Sequence, residues 1–485
     1  MLEFWQDYSV YFFPLYIVAL VYAVARLLLD NKNPLKTHSY LLLIFLLPII
    51  GIIIYYLFGQ NLRKQKIFNR RKLINQAFGE KYVEQHLDKK TPLEIPENYR
   101  PFNKYHKLIN FLMNDLSPLT LYNKVRILKN GEEKFPAVKQ AIKDAEDHIH
   151  IEYYIFSNDD VGGELADLLI QKAKEGVRVR IIVDGVGSLG FRRKFFKKLR
   201  SGGVEIHEFM PVLFPSFTSK INYRNHRKII VIDGKIGFTG GINLDDRYLN
   251  NGKHTLFWRD THLMLEGESV KTLQFLFMLS WQFITGKELN EGPNYFPTFK
   301  NKGSQPVQIN ASGPDWELAS IMESFLLAFN AAEESIRITT PYFIPTESIM
   351  NALSTLTKSG VHVQLMIPYQ SDSWIVQAAS MSYVKQLLRL GIEVYFYKKG
   401  FIHAKVIIID DNFASIGTSN MDYRSFDLNY EVNTYLYDTQ LISTLHAQFE
   451  EDLLDCQKAE LDEWLGRKTP MKLKESLCRL LAPLL

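Results

Sequence analysis

Cysteine is nearly absent from the chain. Cys456 and Cys478 are the only two among 485 residues, which excludes a disulfide framework and fits a reducing compartment. No cluster of histidine and cysteine has metal-ligand spacing, so neither a metal nor another cofactor is expected. An excess of one charge is also lacking. Lys and Arg outnumber Asp and Glu by only four, with a pI near 8.6. That balance suits an anionic membrane surface and gives little support for a polynucleotide groove.

Two stretches lack charge almost entirely. "VYFFPLYIVALVYAVARLLL" (Val10 to Leu29) carries Arg26 alone, and "YLLLIFLLPIIGIIIYYLF" (Tyr40 to Phe58) carries none. Each approaches the roughly 20 residues that cross a bilayer. Residues 1–62 are therefore expected to form a two-helix transmembrane hairpin. A cleaved signal peptide is the other reading of the first stretch, but no basic n-region precedes it and a second apolar run follows. After the hairpin comes "GQNLRKQKIFNRRK", with Arg63, Lys64, Lys66, Arg70, Arg71 and Lys72 close together, against Lys32 and Lys36 in the intervening loop. The positive-inside rule then predicts a multi-pass protein of the cell membrane with its main body in the cytoplasm. Residues 63–118, with "DKKTPLEIPENYRPFNK", read as a basic and polar connector.

What the remainder has in abundance is internal repetition. In "NHRKIIVIDGKIGFTGGINLDDR" (Asn225 to Arg247), strand parity puts His226 and Lys228 on one face with Ile230 and Ile232, and Asp233 on the other. Apolar residues on both faces predict an interior strand, and Asp233-Gly234 a turn. Adding 177 to His226, Lys228, Asp233, Gly240, Asn243, Asp245 and Arg247 lands on His403, Lys405, Asp410, Gly417, Asn420, Asp422 and Arg424. The flanks repeat as well: "AEDHIHIEYYIF" resembles "AEESIRITTPYF", and "KAKEGVRVRIIVDG" resembles "LTKSGVHVQLMIPY". Each half reads as strand, helix, strand, helix, strand, then the His-x-Lys strand. The predicted fold is α/β: two pseudo-twofold lobes, 119–300 and 301–485, each a mixed, mainly parallel sheet flanked by helices. The two motifs are expected at one central cleft.

The doubled pattern His-x-Lys-x4-Asp-x6-Gly-x2-Asn resembles that of the phospholipase D superfamily, over roughly Phe135 to Leu454. With the amino-terminal apolar pair, "NYRNHRK" and the leucine-rich end, the chain most resembles the superfamily's bacterial cardiolipin synthases. That resemblance implies transfer of a phosphatidyl group between two phosphatidylglycerol molecules through a phosphohistidine, releasing glycerol. It implies His226 and His403 as nucleophile and acid; His226 is the favoured nucleophile, although near-symmetry leaves the order open. Lys228, Lys405, Asn243 and Asn420 would hold the phosphate. Asp233 and Asp410 belong to the catalytic signature, and parity gives them a bracing role. By the same resemblance Asp260, in "FWRDTHLMLEG", is assigned to orient His226, and Glu431, in "LNYEVNTYLY", to orient His403.

The expected partners are phosphatidylglycerol and anionic membrane lipids, not nucleic acid, with the oligomeric state open. A phospholipase D-type hydrolase, another phosphatidyltransferase and a non-catalytic membrane scaffold are the competing readings. Two further segments bear on the membrane. "FMPVLFPSF" (Phe209 to Phe217) reads either as an interfacial lip or as a loop packed in the core. "PMKLKESLCRLLAPLL", an amphipathic helix at the carboxyl end, either lies on the bilayer or packs on the body.

Overall fold

The computed structural model describes residues 14, 17–18, 20–29, 34–55, 103–188, 192–211, 222–289, 295–298, 303–316 and 318–482. It contains an amino-terminal helical unit, described in residues 14 to 55, and an α/β body.

The amino-terminal unit corrects the expected hairpin. Among the described residues no helix is long and apolar enough to cross a membrane. The second apolar stretch is divided at Leu47 into helices Pro34–Leu46 and Pro48–Ile54. Leu47 has φ −135° and ψ 71°, the departure from helical geometry that a following proline favours. Thirteen residues in the first piece span only about 20 Å, against the ~30 Å of a hydrocarbon core. Ala23 and Leu27 from the helix over 20–29 pack with Ile44 and Tyr55.

In the body, the first lobe contributes strands β1 (Asn123–Lys129), β2 (His148–Tyr153), β3 (Arg178–Asp184), β4 (Glu205–Phe209), β5 (Lys228–Ile232), β6 (Ile236–Gly240), β7 (Phe257–Arg259) and β8 (Thr261–Gly267). Seven of them form one sheet in the order β1-β8-β6-β5-β2-β3-β4. The second lobe contributes β9 (Val307–Ser312), β10 (Ser335–Thr339), β11 (Phe343–Ile344), β12 (His362–Pro368), β13 (Glu393–Tyr397), β14 (Gly400–Ile402), β15 (Val406–Ile409), β16 (Phe413–Gly417), β17 (Met421–Asp422), β18 (Glu431–Leu436) and β19 (Cys456–Lys458). Its large sheet runs β19-β13-β12-β10-β15-β16-β18-β9.

The sheets are mixed, but not mainly parallel as expected. Within the two large sheets, parallel pairing is confined to β2-β3-β4 and to β10-β12-β13, the strands joined through helices. From β5 and β15 onward each lobe turns back on itself in antiparallel hairpins. The cause is local. Asp233 and Gly234 both take left-handed backbone angles, φ 53° and 62°, in the three-residue loop between paired Ile232 and Ile236, which turns the chain back on itself. Asp410, at φ 47°, makes the equivalent turn.

The two large sheets share a core. Ile229 and Val231 of β5 pack in one cluster with Ile408 of β15, Ile416 and Val432, while Ile230 and Ile232 face the first lobe's own helices. Apolar residues on both faces of β5 are thus accounted for by a second sheet on one side and helices on the other. The expected connector is only partly a linker. Tyr105, Leu108, Ile109 and Leu112, on and beside the helix His106–Asn114, are buried in the second lobe's core with Phe325 and Phe413. The sequence hides this because the helix is short and follows a charged, proline-rich run.

Candidate active site

A short parallel pairing on each side of the interlobe seam builds the site. β14 lies parallel to β7, matching Phe401 with Trp258 and Ile402 with Arg259. The next residue, His403, donates its main-chain N–H to Arg259 at 2.7 Å. On the other side Asn225 bridges Tyr430 in parallel, and the His226 N–H donates to Tyr430 at 2.9 Å. Residues that follow such parallel pairs stand side by side. His226 therefore meets Glu431, and His403 meets Asp260.

The expected pairing of histidines with carboxylates is accordingly reversed. His226 Nδ1 lies 2.9 and 3.0 Å from the two Glu431 oxygens. His403 Nδ1 lies 2.7 Å from Asp260 Oδ2. Each imidazole takes its carboxylate from the opposite lobe. Parity within one half could not reveal this, because the partner strand belongs to the other half.

The two sides are not equivalent. Thr418 donates its hydroxyl to Glu431 at 2.5 Å, and Asn429 donates its amide at 3.2 Å. In the repeat, Gly241 occupies the place of Thr418, and a side chain there would collide with the Asp260 carboxylate. Burial pushes Asp260 up to about 6, opposed by Lys405. Glu431 meets the same burial, yet His226, Lys228 and Thr418 hold it below the usual carboxylate range. The stronger anion thus sits beside His226.

Both histidines line one cavity of about 400 Å³, together with Asn243, Asn420, Arg247 and Arg424. Nδ1 of each ring is engaged by a carboxylate, which turns chemistry to Nε2; on His403 the Lys405 ammonium lies 3.0 Å from both ring nitrogens. Burial, opposed in part by Glu431, lowers His226 to about 4. Burial and the nearby lysines drive His403 well below its ordinary value. Lys228 and Lys405 lie behind the rings, each donating to the main-chain carbonyl of its own motif histidine, at 2.9 and 2.5 Å. Burial lowers Lys228 to about 7 and Lys405 to about 8, against the pull of Glu431 and Asp260. Such lysines hold charge reluctantly until an anion arrives. The side-chain oxygens of Asn243 and Asn420 are buried without a hydrogen-bond partner, which leaves polar capacity for a ligand.

Asp233 and Asp410 stand away from this chemistry, at the hairpin ends of β5 and β15. Asp233 accepts main-chain N–H groups from Glu146, Asp147 and His148 at 2.8 to 3.0 Å. Asp410 accepts the same three positions in the second lobe, Glu333, Glu334 and Ser335, and pairs with Lys104 at 2.6 Å. Each carboxylate ties its motif strand to the neighbouring β2 or β10. Asp233→Ala should strand three donors and lower stability by about 3 kcal/mol. Thermal unfolding of the variant checks this, with turnover per folded molecule expected to stay within about tenfold of the parent.

Several residues escaped the sequence reading. The Tyr248 hydroxyl lies 3.2 Å from His403 Nδ1 and accepts the Asn243 amide at the same distance. Arg259 forms a buried pair with Asp452, holding the segment that presents Asp260. Trp258 and Tyr154 wall His403 and His226. One signal was available: Gly241 against Thr418 is a visible mismatch in the aligned repeat.

A family model described as "Cardiolipin synthase, PLD-like domain" matches residues 138–270 and 326–453, so it covers both motifs. A cardiolipin synthase of Halalkalibacterium halodurans is 41% identical over 100% of this chain and 96% of its own. The chain belongs to the cardiolipin synthase family. It is therefore a phosphatidyltransferase of the phospholipase D superfamily, and its function is cardiolipin synthesis. The major cardiolipin synthase of Bacillus subtilis (strain 168) is 39% identical, covering 97% of this chain and 98% of that one. A second model, described as "Phospholipase_D-nuclease N-terminal", matches residues 15–60. The crystal structure of a phosphatidylserine synthase from Haemophilus influenzae Rd KW20 has a TM-score of 0.60 at 15% identity, covering 79% of this chain and all of that one. That last likeness is one of fold alone.

Proposed function

We propose that this cardiolipin synthase joins two phosphatidylglycerol molecules through a phosphohistidine at His226. Neutral His226 attacks the phosphorus of the first lipid through Nε2. The bond from phosphorus to the head-group glycerol breaks, and His403 Nε2 protonates the departing oxygen. A glycerol hydroxyl of the second lipid then returns its proton to His403. Its oxygen displaces His226 from phosphorus, which completes cardiolipin. Over the two steps one diester replaces another, so the exchange needs no external energy source.

The observation that carries this reading is the crossed pair of carboxylates, which engages both Nδ1 atoms at one cavity. The more strongly ionised partner, Glu431, favours His226 as nucleophile. An imidazole beside a firm carboxylate is the more basic and the better stabilised once it carries phosphorus. Lys228 and Lys405 are assigned to neutralise the diester, with Asn243 and Asn420 aiding them. A bound anion raises the proton affinity of His403, which makes it an effective acid. The substrate places the site of action at a bacterial membrane. The basic run at Arg63 to Lys72 is fitted to anionic headgroups.

Purified protein in detergent, given labelled phosphatidylglycerol alone, should yield cardiolipin and an equal amount of glycerol, with chelator present throughout. Phosphatidic acid as the main product would reassign the reaction to hydrolysis.

A further inference from the structure

The carboxyl-terminal helix, Thr469–Arg479, has one face on the body and another that the described residues leave open. On the inner face Glu475 and Cys478 are buried, and Glu475 accepts both guanidinium nitrogens of Arg467 at 2.7 and 2.8 Å. Arg479 lies over the ring of Tyr383, 4.1 Å from its centre. The outer face carries Leu473, Leu477 and Leu480, which are 60%, 57% and 76% exposed. Steps of four and three residues put them in a single stripe.

The charge around that stripe is of one sign. Between Arg467 and Leu481 stand Arg467, Lys468, Lys472, Lys474 and Arg479, against Glu475 alone, and Arg467 already pairs with Glu475. The helix is linked to the cavity through one neighbour. It packs on the helix Trp374–Arg389, at whose start Asp372 and Val376 line the cavity. Between them Trp374 is 61% exposed, and the Lys474 ammonium lies 4.9 Å from its ring centre. Leucine stripe, lysine and indole thus lie together beside the segment that supplies Asp372 and Val376 to the cavity.

We propose that this surface seats the body on an anionic membrane. Leu473, Leu477 and Leu480 enter the boundary between headgroups and acyl chains. Lys472 and Lys474 meet lipid phosphates, and Trp374 takes the interfacial position that suits an amphipathic ring. The edge of the cavity is then held at the lipid surface, and a phospholipid reaches His226 and His403 without crossing water. A second copy of the chain would bring five more basic residues against these five, whereas an anionic bilayer complements them. The inference rests on the phospholipid-transfer reading for its choice of lipid, and its readout does not require turnover.

The test uses the full chain with Leu477→Cys, labelled with a polarity-sensitive fluorophore. The parent, with buried Cys478 and half-buried Cys456, supplies the background. Vesicles of phosphatidylglycerol and phosphatidylcholine should shift the emission to the blue, and vesicles of phosphatidylcholine alone should shift it less. Unchanged emission overturns the proposal. So does a blue shift that grows with protein concentration in the absence of vesicles, which would give the face to a second copy. Independently, Leu473→Glu with Leu477→Glu should raise the apparent KM for vesicle phosphatidylglycerol about tenfold. Turnover of a monodisperse short-chain phosphatidylglycerol should remain unchanged; equal loss on both substrates overturns the proposal. Should the chain make no cardiolipin at all, a lipid-dependent blue shift would still stand.

Discussion

His226→Ala and His403→Ala should each reduce cardiolipin formation by a factor of at least about 10⁴, since groups that act as a unit fail together. The two losses differ in kind. Without His226 no phosphorus–nitrogen bond forms, so labelled phosphatidylglycerol leaves no acid-labile label on the protein. Without His403 the nucleophile remains, but the departing glycerol lacks its proton. A good leaving group removes that need in the first step: with a phosphatidyl ester of p-nitrophenol, His403→Ala should regain the initial burst of nitrophenol and the acid-labile label on the protein, and His226→Ala neither. The reverse pattern would exchange the two roles. Full cardiolipin synthesis by either variant would end the shared-site mechanism.

The carboxylates test the crossing directly. Glu431→Gln keeps the size of the side chain beside His226 and removes its charge, so turnover should fall by about 10²–10⁴. In sign, Glu431 raises the proton affinity of His226 against the effect of burial. Without that charge the imidazole is less basic and less nucleophilic at every pH. Asp260→Asn should instead impair the acid step, and the p-nitrophenyl ester should rescue it as it rescues His403→Ala. Combining Glu431→Gln with His226→Ala should add almost nothing to the histidine variant alone. Were Glu431→Gln rescued by the activated ester while Asp260→Asn was not, the carboxylates would serve the histidines in their own lobes, contrary to the geometry.

Much of the body was legible because it repeats. The 177-residue offset aligned seven motif positions, and in the structure both motif histidines line one cavity. Parity alone separated Asp233 from His226 and Lys228, and the hydrogen bonds of Asp233 run to β2 rather than to the cavity. Three matters were illegible for distinct reasons. The crossing of Glu431 and Asp260 arises from pairing between segments 205 and 143 residues apart, which no local period encodes. The antiparallel half of each sheet follows from the left-handed backbone at Asp233 and Asp410, and apolar runs look alike in either direction. The apolar stretch from Tyr40 suggested a continuous helix by hydropathy, which does not register the departure at Leu47 before Pro48.

The exchange of carboxylates across the seam also bears on how such a chain could arise. A half-length molecule carrying one motif would have its imidazole but not the acid that orients it. Two copies meeting about a twofold axis would each lend the other that acid. The present chain has the form of such a dimer, covalently fused and since released from strict symmetry. Thr418 opposite Gly241, and Glu431 opposite Asp260, are where its halves have begun to specialise.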